Sequence, residues 1–321
     1  MRVLVTGGAG YIGSTAVAIL LERGYEVTVL DDCSTGHFES VPSSAKFISG
    51  SILDSKALAE ALTGCAAVIH FAAKSIVGES VEKPDLYHEV NVEGTRRLLD
   101  EMARLGVSKL VFSSTAATYG EPEIIPITEE SPTVPTSPYG RTKLEVDQMI
   151  TAESGLGLAA ISLRYFNVAG AFNSKSGWLT ERHSPETHLI PNLLRASVAN
   201  PLKVFGNDWP TADGTCIRDY VHVVDLIDAH ILALEKLTAS KHEIINLGSG
   251  GGYSVTQVID AAAKVVGSDI PTQISARRSG DPAVLIADIS KAKKVLGWIP
   301  TRNIEDMVSD TWKSQNASAS K

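Results

Sequence analysis

The chain has 321 residues, of which 44% are hydrophobic, 21% charged and 6% aromatic. This balance excludes a disordered or collagen-like chain, and the length is sufficient for a large core without disulfides. The net charge of −8 disfavours a general affinity for nucleic acid or for anionic membranes. The sequence contains no run of about 18 apolar residues, so no membrane-spanning helix is predicted.

Short apolar segments alternate with helical patterns through the first half of the chain. The predicted strands cover residues 3–6, 27–30, 46–48, 67–71, 110–113 and 159–163, and the predicted helices cover 12–22, 55–62, 84–105 and 138–153. Continuous apolar strands separated by helices are typical of a parallel sheet with both faces covered. We therefore predict an α/β fold with a Rossmann-type, doubly wound parallel sheet.

The pattern changes after residue 170. Residues 171–190 carry Asn, Ser, Gly, Pro and His and predict an ordered loop region. Helices are predicted near 189–199, 225–237, 254–266 and 303–313, a strand at 243–247, and a frayed end over 314–321. These elements predict a first domain over 1–170 and a smaller mixed α/β lobe over 171–321, with about 216–247 returning to the first domain and a cleft between them.

Three glycines, Gly7, Gly10 and Gly13, follow the first predicted strand and open the first predicted helix. Glycine at these places lets the chain turn tightly, approach a pyrophosphate with its backbone, and pack the helix closely on the sheet. The helix N-terminus adds free N–H groups and the positive end of its dipole. The placement predicts a dinucleotide-binding loop. The same glycines interrupt any apolar leader, so no signal peptide is expected.

Asp31 stands at the end of the second predicted strand, 18 residues after Gly13. A carboxylate at this position accepts hydrogen bonds from the adenosine ribose hydroxyls and repels a 2′-phosphate. The predicted cofactor is therefore NAD and not NADP.

The three cysteines, Cys33, Cys65 and Cys216, are odd in number and form no CxxC pair. This pattern argues against a disulfide framework or a cysteine zinc site and favours reduced thiols in a cytoplasmic protein.

A second motif begins at Ser137, a natural N-cap, followed by Pro138, which suits the first position of a helix. Tyr139 and Lys143 then lie four residues apart on one helical face. A phenol is a poor base at neutral pH because its pKa is near 10. A nearby ammonium, helped by an oxidised nicotinamide ring, would stabilise the phenolate. The pair predicts a tyrosine general base beside the cofactor.

With these motifs in place, the sequence resembles the extended short-chain dehydrogenase/reductase family and, within that family, the UDP-glucose 4-epimerases. The similarity covers nearly the whole chain. Besides Tyr-x-x-x-Lys it rests on a strand ending in hydroxyl residues at 113–115, on the narrower motif Arg218-Asp219-Tyr220, and on segments 70–73, 77–80, 91–95, 163–167, 205–208, 213–215, 246–248 and 277–281.

The resemblance implies a bound NAD and the reversible C4 epimerisation of UDP-galactose and UDP-glucose through a transient 4-keto sugar. It implies that Tyr139 is the general base, that Lys143 anchors the nicotinamide ribose, and that Thr115 lies beside the sugar 4-hydroxyl. The implied cofactor contacts are Gly7, Gly10, Tyr11, Ile12, Gly13, Asp31, Asp32, Ser34, Thr35, Gly36, Ser51, Ile52, Phe71, Ala72, Ala73, Lys74, Asn91, Ser113, Tyr139, Lys143, Tyr165 and Phe166. The implied substrate contacts are Lys74, Thr115, Tyr139, Asn167, His188, Val204, Phe205, Arg218, Arg278, Asp281 and Leu285.

Four of these positions depart from the usual family residues. Thr115 replaces a serine and keeps the hydroxyl with a more restricted rotamer. His188 replaces an asparagine, and Ser51 replaces an aspartate that contacts adenine. Lys74 comes one place earlier than in many relatives. Leu285 occupies a position on the sugar-pocket wall where small residues admit 2-acetamido sugars, and it also fits simple packing within its own loop.

Two other functions fit the same motifs. A nucleotide-sugar 4,6-dehydratase or decarboxylase would need a carboxylate beside the strand-end hydroxyl, where this chain has Ala116 and Ala117. A catalytically inactive NAD-sensing protein would lack the Tyr–Lys pair. The histidines at 183, 188, 222 and 230 are expected to cluster loosely in the second lobe, and no metal site is expected because they lack ligand spacing.

The resemblance also implies a homodimer joined through a four-helix bundle of the helices near 84–105 and 138–153. Its apolar contacts could come from Leu98, Leu99, Met102, Leu105, Val146 and Ile150, which fit an intrachain core equally well.

Overall fold

The computed structural model describes residues 1–238, 240–278 and 281–319. In chain order, its strands are β1 (Arg2–Thr6), β2 (Glu26–Asp31), β3 (Lys46–Ser49), β4 (Ala67–His70), β5 (Lys109–Thr115), β6 (Ala159–Tyr165), β7 (Asn167–Ala169), β8 (Phe172–Ser174), β9 (Gly177–Leu179), β10 (Leu202–Phe205), β11 (Ile217–Arg218), β12 (Tyr220–His222), β13 (His242–Leu247), β14 (Tyr253–Ser254), β15 (Thr272–Ser275) and β16 (Val284–Leu285). The helices are α1 (Tyr11–Glu22), α2 (Ser55–Leu62), α3 (Val77–Glu82), α4 (Pro84–Tyr87), α5 (Gly94–Leu105), α6 (Pro138–Ser154), α7 (Leu189–Leu194), α8 (Val223–Lys236), α9 (Val255–Val266), α10 (Ser290–Leu296) and α11 (Ile304–Ala319). A π-helical turn, His88–Glu93, joins α4 to α5.

Seven of the described strands form one parallel sheet in the order β3-β2-β1-β4-β5-β6-β13. The central strand β1 is apolar, and Val3, Leu4 and Val5 are fully buried. The strand order reverses beside β1, and ligands of such sheets bind in the crevice at the carboxyl ends of the strands near this reversal. The predicted doubly wound α/β fold is confirmed.

Helices cover both faces of the sheet, and the core has a layer on each face. One layer packs α1 and α8 against the sheet, and the other packs α2, α5 and α6 against it. Five of the six apolar residues considered for a dimer interface are buried in this second layer, namely Leu98, Leu99, Met102, Val146 and Ile150. Only Leu105 of that set is exposed. These side chains therefore form an intrachain core and are not available to a partner.

The second lobe is built from small sheets around a core of its own. In it β10 pairs with β15, β11 lies between β14 and β16, and β12 pairs with β7. The buried carboxylate of Asp219 joins these pieces, because it accepts hydrogen bonds from the backbone N–H groups of Ser249, Gly250 and Ala287 at 2.5, 3.1 and 3.0 Å. The chain then returns to the large sheet, where β13 takes the edge position beside β6.

Three local predictions in this lobe need correction. Residues 171–190 contain the short β8–β9 hairpin and not only loop. Helix α7 ends at Leu194, and the chain beyond it turns back at Ser197 and Asn200. Helix α11 continues to Ala319 through the predicted frayed end; Ser314 is fully buried and donates a hydrogen bond to Thr180 Oγ1 at 3.0 Å, which holds this turn in place. Residues 320–321 of that prediction lie outside the described residues.

Within the described ranges, none of the helices has both the length and the apolar character that a membrane crossing requires.

Candidate active site

The dinucleotide loop begins with a tight turn at Gly7, whose φ is +72°. A Cβ atom at Gly7 would lie 2.6 Å from the backbone nitrogen of Ala72, and one at Gly13 would lie 2.0 Å from the carbonyl oxygen of Gly7. Both positions therefore require glycine. Helix α1 begins after Gly10 without a side-chain cap, so its first N–H groups are left for an anionic ligand.

Asp31 closes β2 beside this loop. Its Oδ2 accepts a hydrogen bond from Ala9 N at 2.9 Å, and its Oδ1 accepts one from Cys33 N at 2.8 Å. Cys33 adopts a φ of +53°, an uncommon value for a non-glycine residue. Burial raises the pKa of Asp31, while the two backbone N–H groups oppose that effect. Each carboxylate oxygen keeps a lone pair with which it can accept a further hydrogen bond.

A cleft of about 460 Å³ runs across the carboxyl ends of the sheet strands. This volume lies within the range of small-molecule and cofactor sites. All the predicted cofactor contacts except Asn91 line it. Other residues that line it and were not predicted are Leu30, Gly50, Leu53, Ser75, Leu86, Val90, Val168, Glu181 and His183.

Tyr139 and Lys143 reach the cleft from the first turns of α6. Ser137 caps this helix by accepting a hydrogen bond from Gly140 N at 3.1 Å, and Pro138 occupies its first turn, as the sequence predicts. The ammonium of Lys143 donates to Ser113 O at 2.8 Å and lies 4.7 Å from the centre of the Phe112 ring. Thr115 ends β5 and lines the same cleft.

Burial dominates the acid–base properties of this pair. It raises the pKa of Tyr139 to about 12, although a hydrogen bond with Thr115 lowers it. It lowers the pKa of Lys143 to about 7, although the charge of Asp147 one turn further along α6 raises it. The ammonium therefore does not by itself bring the phenol into a useful range. A positive charge on a bound cofactor ring would act in the required direction on the phenol.

Comparisons with known proteins agree on one family. Residues 3–248 match the NAD dependent epimerase/dehydratase family. The chain is 52% identical over 323 residues to a UDP-glucose 4-epimerase of Corynebacterium glutamicum, which covers 99% of this chain and 96% of that protein.

This chain belongs to the NAD dependent epimerase/dehydratase family.

Solved structures of the family have the same fold. A UDP-glucose 4-epimerase from Stenotrophomonas maltophila, with bound NAD and formylated UDP-arabinopyranose, is 38% identical with a TM-score of 0.95, covering 100% of this chain and 99% of that one. A UDP-glucose 4-epimerase from Bifidobacterium longum, in complex with NAD⁺ and UDP, is 37% identical with a TM-score of 0.92, covering 99% of each chain. The resemblance to the UDP-glucose 4-epimerases and the prediction of NAD as the cofactor are confirmed.

The residues present fit the dinucleotide that the family name specifies. Gly7 and Gly13 allow the loop backbone to pack closely against Ala72 and against itself, and α1 presents an uncapped N-terminus beside them. Asp31 follows on the next strand with free acceptor capacity. Further along the same wall, Lys74 Nζ lies 3.5 Å from Ser34 Oγ. These groups would hold the pyrophosphate and the adenosine ribose.

The substrate contacts implied by the family divide into two sets. Lys74, Thr115, Tyr139, Asn167 and His188 line the cleft. Val204, Phe205, Arg218, Arg278, Asp281 and Leu285 do not line it. Within this second set, the guanidinium of Arg278 lies 3.9 Å from the centre of the Phe205 ring, and Arg218 NH2 lies 3.8 Å from an Asp281 carboxylate oxygen.

Two members of that second set pack against apolar side chains in this structure. Val204 is buried in the core of the second lobe. Leu285 packs with Phe166 against a buried cluster of Ala116, Tyr119 and Ile127. Leu285 does not line the cleft, whereas Phe166, which packs against the same cluster, does.

Asn91 lies behind the cleft wall and is 2% exposed. Its Oδ1 accepts a hydrogen bond from Lys74 N at 2.8 Å, and its Nδ2 donates to Lys74 O and to Thr142 Oγ1, both at 3.0 Å. The amide nitrogen has no hydrogen left to donate to a cofactor. Asn91 thus fixes the backbone of Lys74 against α6, and its direct contact with the cofactor stays a prediction.

The expected loose cluster of four histidines separates into different environments. His183 and His188 stack with ring centres 5.6 Å apart beside Glu181 at the cleft. His230 packs against Phe71, and its burial lowers its pKa to about 4. His222 lies elsewhere, with Nε2 3.5 Å from a carboxylate oxygen of Asp310. The sequence does carry a signal for the first pair, because a glutamate stands two residues before each histidine, at 181 and 186.

Proposed function

We propose that this chain catalyses the reversible C4 epimerisation of UDP-galactose and UDP-glucose with a tightly bound NAD. The observation that carries the proposal is the common cleft, in which Tyr139, Lys143 and Thr115 stand beside the dinucleotide loop. The names of the Corynebacterium glutamicum and Bifidobacterium longum relatives, and the UDP in the latter's structure, support the substrate class.

When bound, NAD supplies the chemistry of taking a hydride from C4 of the sugar and returning it. Tyr139 removes the proton of the sugar 4-hydroxyl and later returns it to the 4-keto oxygen. Thr115, which hydrogen-bonds to Tyr139, orients that hydroxyl. Lys143 is anchored on Ser113 O and holds the nicotinamide ribose. The keto sugar turns about its bond to the diphosphate between the two transfers, so that C4 is inverted and no cofactor is consumed.

We propose that Asn167 and His188 hold the nucleotide diphosphate from the cleft side. The side chain of Asn167 donates to the backbone carbonyl oxygen of Asp219 at 3.0 Å, which ties it to the second lobe. Phe205, Arg218, Arg278 and Asp281 extend this set. Two arginines match a diphosphate in charge and in hydrogen-bonding geometry.

The two alternative functions are less well supported. An elimination or decarboxylation would need a carboxylate next to Thr115, and the following residues are the buried Ala116 and the partly buried Ala117. An inactive NAD sensor would not need a tyrosine and a lysine in the cleft, and both are there.

The test is to incubate the purified protein with UDP-galactose, without added NAD, and to look for UDP-glucose. The expected result is an approach to the same product ratio from either sugar, with no net change in NADH absorbance. A 4-keto-6-deoxy sugar as the product would favour the dehydratase. No turnover of either sugar, with NAD present in the protein, would favour the sensor.

We further propose that the protein is a cytoplasmic homodimer. All three cysteines are free, as suits a reducing compartment. The family resemblance supports pairing through the outer faces of α5 and α6, since their inner faces are already used in the core. Light scattering on the protein as it elutes from a size-exclusion column measures its molar mass and so tests the dimer. The mass of a single chain at micromolar concentration would contradict it.

A further inference from the structure

The segment 181–188 brings four chemically active side chains together at the cleft. One potential ligand atom from each of Glu181, His183 and His188 lies within 4.8 Å of the other two. Glu186 is next to them, with its Oε1 atom 2.8 Å from Nδ1 of His188. None of these groups is needed for the hydride or proton transfers described above, although His188 also belongs to the proposed diphosphate contacts.

Within the part of the chain that the structure describes, the ion-pair partners of the two carboxylates are the histidines of the cluster itself. Among the described residues, neither Glu181 nor Glu186 has a lysine or an arginine as an ion-pair partner. The intervening Arg182 turns elsewhere and donates to Ser40 Oγ at 2.7 Å and to Glu39 Oε1 at 3.4 Å. The Glu186 side chain is only 4% exposed, yet its Oε2 atom has no hydrogen-bond partner. A buried, unpartnered carboxylate oxygen is costly unless a cation or a donor accompanies it.

The hydrogen-bond pattern has the form expected around a metal ion. Histidine ligands almost always give their second ring N–H to a carboxylate, a backbone carbonyl or a water, which fixes the tautomer and the orientation of the ring. His188 pairs its Nδ1 with Glu186 Oε1 in this manner, so its Nε2 atom would be the one to bind an ion. His183 Nδ1 lies 2.7 Å from Glu181 Oε1, and His188 Nδ1 lies 3.8 Å from Glu181 Oε2, so both imidazoles face the same carboxylate.

From this geometry we propose that Glu181, His183 and His188 form a binding site for a divalent transition-metal ion, with Glu186 as the residue that orients His188. Two imidazoles and one carboxylate suit Zn²⁺, Co²⁺ or Fe²⁺, and do not suit Mg²⁺, which prefers oxygen ligands. Three protein ligands leave at least one coordination position open. The three ligand residues line the cleft, so the open position is accessible to a ligand in it.

The test is equilibrium dialysis of the NAD-containing protein against Zn²⁺, after removal of metals with a chelator, with metal measured by mass spectrometry. The expected result is one equivalent of Zn²⁺ per chain that a large excess of Mg²⁺ does not displace. Glu181→Gln and His183→Gln should each remove that equivalent or weaken its binding at least tenfold. Glu186→Gln keeps the three ligands and should weaken binding about 10–100-fold, as is typical for partners of ligating histidines.

The matched control is His88→Gln, because His88 also lies near a glutamate, with Nε2 3.6 Å from Glu145 Oε1, but has no third ligand among the described residues. This variant should bind Zn²⁺ like the unmodified protein. Cys33→Ser controls for thiol binding, and the Co²⁺ spectrum should lack a thiolate charge-transfer band. Circular dichroism and NAD content show that each variant is folded. The proposal is overturned by the absence of a stoichiometric site, by full binding in both Glu181→Gln and His183→Gln, or by loss of binding in Cys33→Ser.

Discussion

The carboxylate of Asp147 accepts two hydrogen bonds from the guanidinium of Arg164, at 3.0 and 2.9 Å, and both side chains are at most 3% exposed. This pair joins α6, which carries the tyrosine and lysine of the active site, to the sheet strand β6. The same Asp147 oxygen accepts a hydrogen bond from Ser114 on β5 at 3.1 Å, and the Arg164 guanidinium lies 4.9 Å from the centre of the Tyr119 ring.

Breaking this pair should be costly. Asp147→Ala leaves a buried guanidinium without its carboxylate and should lower the free energy of unfolding by about 3–5 kcal/mol. The exposed pair between Arg2 and Glu26 is the matched control, and Glu26→Ala should change stability by about 0–1 kcal/mol. Denaturant titration in excess NAD measures both. Equal effects of the two substitutions would show that burial does not set the strength of the Asp147–Arg164 pair.

Tyr139→Phe removes the proposed general base and keeps the ring. Turnover of UDP-galactose should fall by roughly 10²–10⁴-fold, the usual range for a positioned acid–base group. NAD content and thermal stability should be nearly unchanged, because the phenol is not needed to hold the first turn of α6, which Ser137 caps. Near-normal epimerisation by a purified, NAD-containing variant would exclude Tyr139 as the base.

Asp31 should set the preference for NAD over its 2′-phosphorylated form. Because its two oxygens accept N–H groups from Ala9 and Cys33, replacement by alanine would also leave those donors unpaired. The sharper variant is Asp31→Asn with Asp32→Arg, which keeps an acceptor and adds a cation. Its ratio of Kd values for NADP and NAD should move toward NADP by at least about tenfold, or about 1.4 kcal/mol. If the dinucleotide-free unmodified protein binds both equally, Asp31 does not discriminate.

Lys143 should make stability depend on pH. Its pKa in the folded protein is about 7, below the usual value of 10.5, so between these values the unfolded chain binds a proton that the folded chain does not. The contribution of Lys143 to the free energy of unfolding therefore rises as pH rises through that window. The cost of burying the ammonium is greatest below pH 7. Lys143→Met should stabilise the dinucleotide-free protein at pH 6 and much less at pH 10, while epimerisation is lost. Denaturant titrations at pH 6, 8 and 10 give this difference directly; a constant gain across them would contradict the shifted pKa.

Leu285→Tyr tests how the sugar pocket is bounded. Leu285 packs against the same buried cluster as Phe166, and Phe166 lines the cleft. A tyrosine side chain, which is larger than leucine, should therefore reduce the space for a 2-acetamido group more than the space for a 2-hydroxyl. We expect the unmodified protein to turn over the UDP-N-acetylhexosamine pair weakly, and Leu285→Tyr to lower kcat/KM for that pair selectively. Leu285→Met, which conserves volume, is the control. An unchanged ratio between the two substrate pairs would mean that Leu285 has only a packing role.

The features that the sequence by itself determined are those contained in one element or one turn. Gly13 is constrained by the carbonyl oxygen of Gly7 in the same loop, and Tyr139 and Lys143 are brought together by one turn of α6. Their spacing along the chain was therefore enough to predict the cofactor loop and the catalytic pair. The alternation of apolar segments was enough to predict the sheet, because strands covered by helices on both faces need no polar side.

Contacts between distant segments depended on the tertiary structure. The sequence could not show that the Asn91 amide is consumed by Lys74 and Thr142, because that depends on how the π-helical turn packs against α6. Only the folded chain separates His183 and His188 from the other two histidines and turns Arg182 away from Glu181. In these cases a side chain's partner is set by the path of the loops in space, and residue spacing carries no information about that path.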